Sequence, residues 1–168
     1  HNNIPEKQAN HIFDQIAAFA GYGFNKAHTA GYGLVSYWTG WLKANYPLEF
    51  MAASMTLDLG NTDKLSIFKQ DLDRMGVELK QPDINKSYAD FAVEGEGVRY
   101  ALGALKGVGE AAMRNLVAER EESGLYKSVE DYASRLDCKS MNKRQLQGLA
   151  AAGGFDSLND HRAQMCEG

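Results

Sequence analysis

Along the first third of the chain, apolar residues recur at intervals of three and four. Pro5 suits the first turn of a helix because its ring fixes φ. Ala9, Ile12, Phe13, Ile16 and Ala20 then share one face up to a stop at Gly21. In LVSYWTGWLKANYP, residues 34–47, Leu34, Trp38 and Trp41 make a second stripe with Val35 and Leu42 beside it, and Lys43 suits the negative end of a helix dipole. Pro47 opens a third helix, LEFMAASMTLDL. Asn61 or Thr62 caps a fourth, in which Leu65, Phe68, Leu72 and Met75 repeat in alternating steps of three and four before Gly76. The Trp38/Trp41 and Leu48/Met51/Met55 stripes are expected to be core.

The period changes near residue 77. Val77–Lys80 and Gln81–Ile84 read as extended, the residue before Pro82 being biased that way. Phe91-Ala92-Val93, a Gly-Glu-Gly turn and Val98-Arg99-Tyr100 read as a short hairpin. From Leu102 the pattern is helical again, with helices over 110–122, 129–136 and 143–151. The expected fold is mainly α: a helical segment over 1–76, a small β connector over 77–100 and a second helical module over 101–168.

Composition narrows the function. The 168 residues are 44% hydrophobic and 24% charged, as in ordinary globular proteins. No apolar run reaches membrane-span length, so no membrane partner is expected. HNNIPEKQ lacks the basic-then-apolar order of a signal peptide. Cys138 and Cys166 are too few for a disulfide framework or a zinc site, which points to a reducing cytoplasm. The net charge of −4 excludes a lysine-coated chain that holds DNA by bulk charge, so a nucleic-acid contact has to be local. The abrupt ends, His1 and Gly168, suggest a piece of a longer protein.

Two stretches carry candidate chemistry for such a contact. LGALKGVGEAAMRNLVAER, residues 102–120, runs from an apolar helix end through Gly107-Val108-Gly109 into another helix, the order of a helix-hairpin-helix. Glycines let backbone approach a phosphate and the following helix offers free N–H groups, while Val108 plugs the gap and Lys106 and Arg114 add charge. The other reading is a plain helical corner with glycine as a C-cap. A looser copy follows in MNKRQLQGLAAAGGFDSL, residues 141–158, with Gly153-Gly154 after a helix and Lys139, Lys143 and Arg144 before it. That basic group reads equally as a solvated helix start. Two such hairpins make a tandem unit that grips a duplex without reading bases.

A third stretch is GYGFNKAHTAGYG, residues 21–33. Lys26 and His28 could meet a phosphate, with Asn25 and Thr29 as donors or caps, yet neither a P-loop nor a dinucleotide fingerprint is present. An ordinary surface turn is the competing reading. Asp71 and Asp73, two apart on a helix, diverge and cannot share a metal.

Beyond these motifs, FAGYGFNKAHTAGYGLVSYWTGWLKANYPLEFMAASMT, QPDINKSYADFAVEGEGVRYALGALKGVGEAAMRNLVAERE and NKRQLQGLAAAGGFDSLNDHRA together resemble the C-family of bacterial replicative DNA polymerases, in order and over nearly the whole chain. The resemblance implies that residues 1–76 belong to the fingers, which close over the incoming deoxynucleotide. Lys26 and His28 then contact the triphosphate, supported by Asn25 and Tyr32, and the tandem helix-hairpin-helix region over 101–168 holds duplex backbone behind the active site. It further implies palm aspartates carrying Mg2+ outside this chain, so that the chain alone is inactive and binds no cofactor. The partners it implies are primer-template DNA, dNTP, the remaining domains of the polypeptide, and a sliding clamp and other replicase subunits bound elsewhere. The chain departs from the family where Ala27, Thr29, Gly31, Gly33 and Gly40 replace more usual residues, and where Met113 stands in place of a small alanine. The alternative is a stand-alone, non-enzymatic helix-hairpin-helix DNA-binding protein.

Overall fold

The structure, a computed structural model, describes residues 4–21, 26–136, 142–159 and 161–162, the side chains of Phe19, Lys26 and Ala27 excepted. By packing, the chain divides into two units, His1–Asn45 and Tyr46–Gly168. The first unit holds α1, Glu6–Gly21, and α2, Lys26–Asn45. The Pro5 carbonyl accepts the amide protons of Gln8 and Ala9, which launches α1.

Helix α2 starts at Lys26, well before the Leu34 expected from the stripe. Lys26-Ala27-His28-Thr29-Ala30 contains no breaker, and Gly31 and Gly33 each cost only about 1 kcal/mol relative to alanine. No neighbour lies within 4 Å of a Cβ built at Gly31, Gly33 or Gly40, so no close approach demands these glycines. The Trp38/Trp41 stripe is not core: the two indoles are 54% and 46% exposed, and Ile12, Phe13 and Ile16 are exposed as well. Two helices contain too little chain to cover both stripes.

The second unit has two cores. Helix α3, Pro47–Leu57, and α4, Thr62–Met75, lie against a small sheet of β1, Glu78–Lys80, β2, Ala92–Glu94, and β3, Gly97–Arg99. The strand order is β1-β3-β2, with β1 parallel and β2 antiparallel to β3, Val93 facing Val98 and a turn at Gly95-Glu96. Met51, Met55, Leu65, Leu72, Phe91 and Val98 fill this core, so α3 and α4 share their packing with the β element that follows them. Caps account for the helix limits. The Asn61 side chain accepts the Lys64 amide, and Gly76 ends α4 with φ +70°.

The other core gathers Ile84, Leu102, Val108, Met113, Leu116, Tyr126, Tyr132, Leu149 and Phe155. It is built by α5, Glu110–Ser123, α6, Val129–Arg135, and α7, Lys143–Ala151. Met113 is fully buried there, so its larger side chain is accommodated as core. Residues 81–84, expected to be extended, leave β1 and enter a turn. That turn is set by Asp83, whose Oδ1 accepts the Asn85 amide while its own N–H donates to Ser87 Oγ.

An ion pair ties the sheet together. Arg99 Nε and Nη2 fork onto the two Glu94 carboxylate oxygens at 2.6 Å each, and Arg99 Nη1 donates to the Gln81 carbonyl. The Arg99 guanidinium holds the Glu94 carboxyl down at about 2 against a usual 4.5, and Lys80 nearby acts in the same sense. A carboxylate with a depressed folded-state value stabilises the fold above the unfolded value and loses that contribution as pH falls through the folded one. Glu94 is more than a third exposed, so the effect is screened. In acid titrations followed by urea unfolding, Glu94→Gln is expected to flatten the fall in stability between pH 4.5 and 2. An unchanged slope counts against the pair.

Candidate nucleic-acid interface

Residues 102–110 build a tight turn that exposes Gly107 and Gly109. A single 3-10 turn, Leu102–Ala104, takes the place of the first helical arm expected from the sequence. It is short because it is pinned from outside. The Leu102 and Gly103 amides donate to the carbonyls of Tyr88 and Ala89, and a Cβ on Gly103 would lie 2.6 Å from the Ala89 oxygen. Lys106 and Gly107 are exposed, Val108 is completely buried, and Gly109 is exposed again as the N-cap of α5. Gly107 and Gly109 have φ of +87° and +79°, a region that residues with a Cβ rarely enter. Their amide hydrogens have no acceptor among the described residues. Such a pair of free N–H groups at a helix start suits an anion.

Helix α7 packs directly on this turn. Asn142 caps α7 by accepting the Gln145 amide, and Gln145 Oε1 accepts the Asn142 amide in return. Gln145 Nε2 donates to the Val108 carbonyl at 2.6 Å. The Arg144 side chain lies over Gly107, 3.3 Å from where a Cβ would stand. Among the described residues, Lys106, Lys143 and Arg144 have no carboxylate partner. The structure thus brings Lys106, Gly107, Val108, Gly109 and Arg144 together, with Lys143 at the start of α7.

The remaining candidates lie apart. Arg114 is exposed but engaged by two carboxylates, Glu110 at 2.8 Å and Asp90 at 2.9 Å, and these hydrogen bonds raise its already high pKa. Gly153 and Gly154 are buried. Gly153 has φ +82° and sits beneath the paired side chains of Arg162 and Asp156, while the Gly154 carbonyl accepts the Ile84 amide inside the core. Arg162 holds the Asp156 carboxyl below the usual carboxylate range. Asn25 and Lys139 lie outside the described residues, as does the Lys26 side chain. His28 and Tyr32 stand one turn apart on α2 with ring centroids 4.2 Å apart, both on the exposed surface. Among the described residues no three His, Cys, Asp or Glu side chains gather in an arrangement that could hold a metal ion.

Sequence reasoning missed Gln145, Gly148 and the Arg162–Asp156 pair. Asn142-x-x-Gln145 was readable as a capping box, but the second bond of Gln145, to Val108, depends on the tertiary fold.

The family model described as helix-hairpin-helix motif matches residues 76–165. The chain belongs to the helix-hairpin-helix family. That match begins upstream of the 101–168 module and takes in the small sheet. Over nearly all its length the chain is also similar to a segment of DNA polymerase III subunit alpha, as the resemblance to C-family polymerases implied. It is 54% identical to the subunit of Caulobacter vibrioides over 97% of this chain and 14% of the relative. It is 45% identical to that of Escherichia coli K12 over 98% of this chain and 14% of the relative. For Deinococcus radiodurans the identity is 44%, over 98% of this chain and 12% of the relative. The chain therefore spans about one eighth to one seventh of the length of these relatives.

Proposed function

We propose that this chain is part of a replicative DNA-directed DNA polymerase, a nucleotidyltransferase, and that it contributes fingers and duplex-binding surfaces. The observation that carries the reading is the turn Gly107-Val108-Gly109, flanked by Lys106 and Arg144, which have no carboxylate partner among the described residues, in a chain similar over nearly all its length to polymerase alpha subunits. Two free N–H groups and two or three cations neutralise phosphates of either strand and recognise no base, which suits an enzyme that moves along any sequence. Arg114 is not counted among those cations, because Glu110 and Asp90 already occupy it. The Gly153-Gly154 turn is buried beneath the paired side chains of Arg162 and Asp156, so it is not counted among the backbone phosphate contacts either.

In this reading, residues at the start of α2 serve the incoming dNTP. Lys26 supplies charge to the triphosphate, Asn25 supports it, and the adjacent tilted rings of His28 and Tyr32 present a donor one turn further on. The polymerase chemistry, two Mg2+ ions on palm aspartates that activate the primer end, belongs to other parts of the polypeptide. Contacts with a sliding clamp and other replicase subunits are assigned to those parts as well, and the compartment is the cytoplasm.

Three outcomes are expected. The chain binds a fluorescent duplex of arbitrary sequence, with affinity falling steeply in KCl, and Lys106→Ala makes the log–log salt slope less negative by about 0.9. Binding that ignores salt, or that selects one sequence, contradicts the duplex-backbone reading. Primer extension by the purified chain with Mg2+ and all four dNTPs yields no product, and turnover would place catalytic residues within it. In the full-length polymerase, Lys26→Ala raises the KM for dNTP and lowers kcat/KM while DNA affinity holds, whereas unchanged kinetics remove Lys26 from the triphosphate site.

A further inference from the structure

We propose that Gln145 is a positioning residue, which locks the basic start of α7 onto the Gly107-Val108-Gly109 turn so that both elements meet one stretch of DNA backbone. The inference rests on the reading that this turn takes phosphate.

The two ends of the Gln145 amide do different work. Oε1 accepts the Asn142 amide at 2.7 Å and completes the cap of α7. Nε2 donates to the Val108 carbonyl at 2.6 Å, across 37 residues of sequence. In a trans peptide the carbonyl and the following N–H point in opposite directions. A bond that holds the Val108 carbonyl toward α7 therefore aims the Gly109 N–H away from it. Gly109 is exposed and its amide has no acceptor among the described residues, so the group so aimed faces solvent.

Two neighbours of Gln145 on α7 make the same junction. Gly148, one turn on, approaches so closely that a Cβ there would lie 3.0 Å from Val108 Cγ1 and 3.3 Å from the Lys106 carbonyl. Arg144 covers Gly107. Residues 106–108 thus meet three residues of one helix: Gln145 by a hydrogen bond, Gly148 by close approach and Arg144 through its side chain. Among the described residues, the cations on either side of the junction have no carboxylate partner, whereas Arg114, Arg135 and Arg162 are all paired. Charge from two elements distant in sequence is available at one place, and each phosphate it neutralises steepens the salt dependence.

The test is duplex binding by the full chain across a KCl series, with thermal melting of each variant to confirm folding. Gln145→Met removes both amide bonds. Gly148→Ala leaves the amide intact and wedges α7 away from the turn. Each is expected to weaken binding at low salt several-fold and to make the slope less negative by about 0.9, as if one phosphate contact were lost. Asn142→Ala weakens the cap but keeps the bond to Val108, and is expected to lower the melting temperature while leaving the slope unchanged. Wild-type slopes in both Gln145→Met and Gly148→Ala, with a reduced slope in Lys106→Ala, overturn the positioning role and leave the duplex reading standing. Equal slope losses in Asn142→Ala and Gln145→Met overturn it too, since simple destabilisation then suffices. If Lys106→Ala and Gly107→Val also bind as wild type, the duplex reading fails and this inference with it.

Discussion

The guanidinium of Arg120 is the buried charge on which the second unit is assembled. It donates to the carbonyls of Ile84 and Ser87 at 2.7 Å each and lies 5.3 Å from the Tyr88 ring centroid. A buried cation without such partners costs several kcal/mol, by a rough estimate, so the loop over 83–89 is obliged to present its carbonyls there. With that loop held, its other groups become anchors. The Ile84 amide reaches Gly154, Asn85 exchanges two hydrogen bonds with Tyr126, and the carbonyls of Tyr88 and Ala89 take the amides of Leu102 and Gly103. The glycine turn and the end of α7 therefore hang from the same loop, and the distance between them is set by a charge that touches neither.

Electrostatics in this chain is a matter of allocation. The net charge is −4, and most described arginines are spent on internal pairs: Arg99 on Glu94, Arg114 on Asp90 and Glu110, Arg135 on Glu119 and Asp131, and Arg162 on Asp156. Among the described residues, the cations at the hairpin without a carboxylate partner are Lys106, Lys143 and Arg144. An acidic protein can still present a local basic face when its carboxylates are committed elsewhere, and the surrounding negative field then discourages loose association away from that face.

Helix limits were legible where caps write them into the chain. Asn61 and Gly76 mark ends that the structure reproduces, and the Gly-Glu-Gly turn marked the hairpin. Periodicity was a weaker guide to burial. It placed Trp38 and Trp41 on one stripe, yet a stripe tells which residues share a face and not whether anything covers it. Glycine spacing misled at 21–33, because Gly31 and Gly33 look like breaks and are merely tolerated inside α2. At the candidate interface, the turn and its flanking cations were readable as a local pattern. The pairing of Arg114 and the burial of Gly153 and Gly154 were not, since both depend on residues brought from far along the chain. Gln145 shows the same limit within one side chain, half of it local and half tertiary.

The exchange of hydrogen bonds between Asn85 and Tyr126 joins positions 41 residues apart, and the Ile84 bond to Gly154 spans a still longer loop. Closing such loops carries an entropic cost that grows with length and has to be met before the contacts return anything. The core of α3, α4 and the sheet draws on nothing beyond Ala104, so on a chain made from its N-terminus it can form while the rest is still being synthesised. The core that carries the glycine turn waits for Gly154 and Phe155. Until those residues leave the ribosome, Val108 and Met113 lack part of the core that buries them, and a nascent chain holds this apolar surface open for longer than that of the first core.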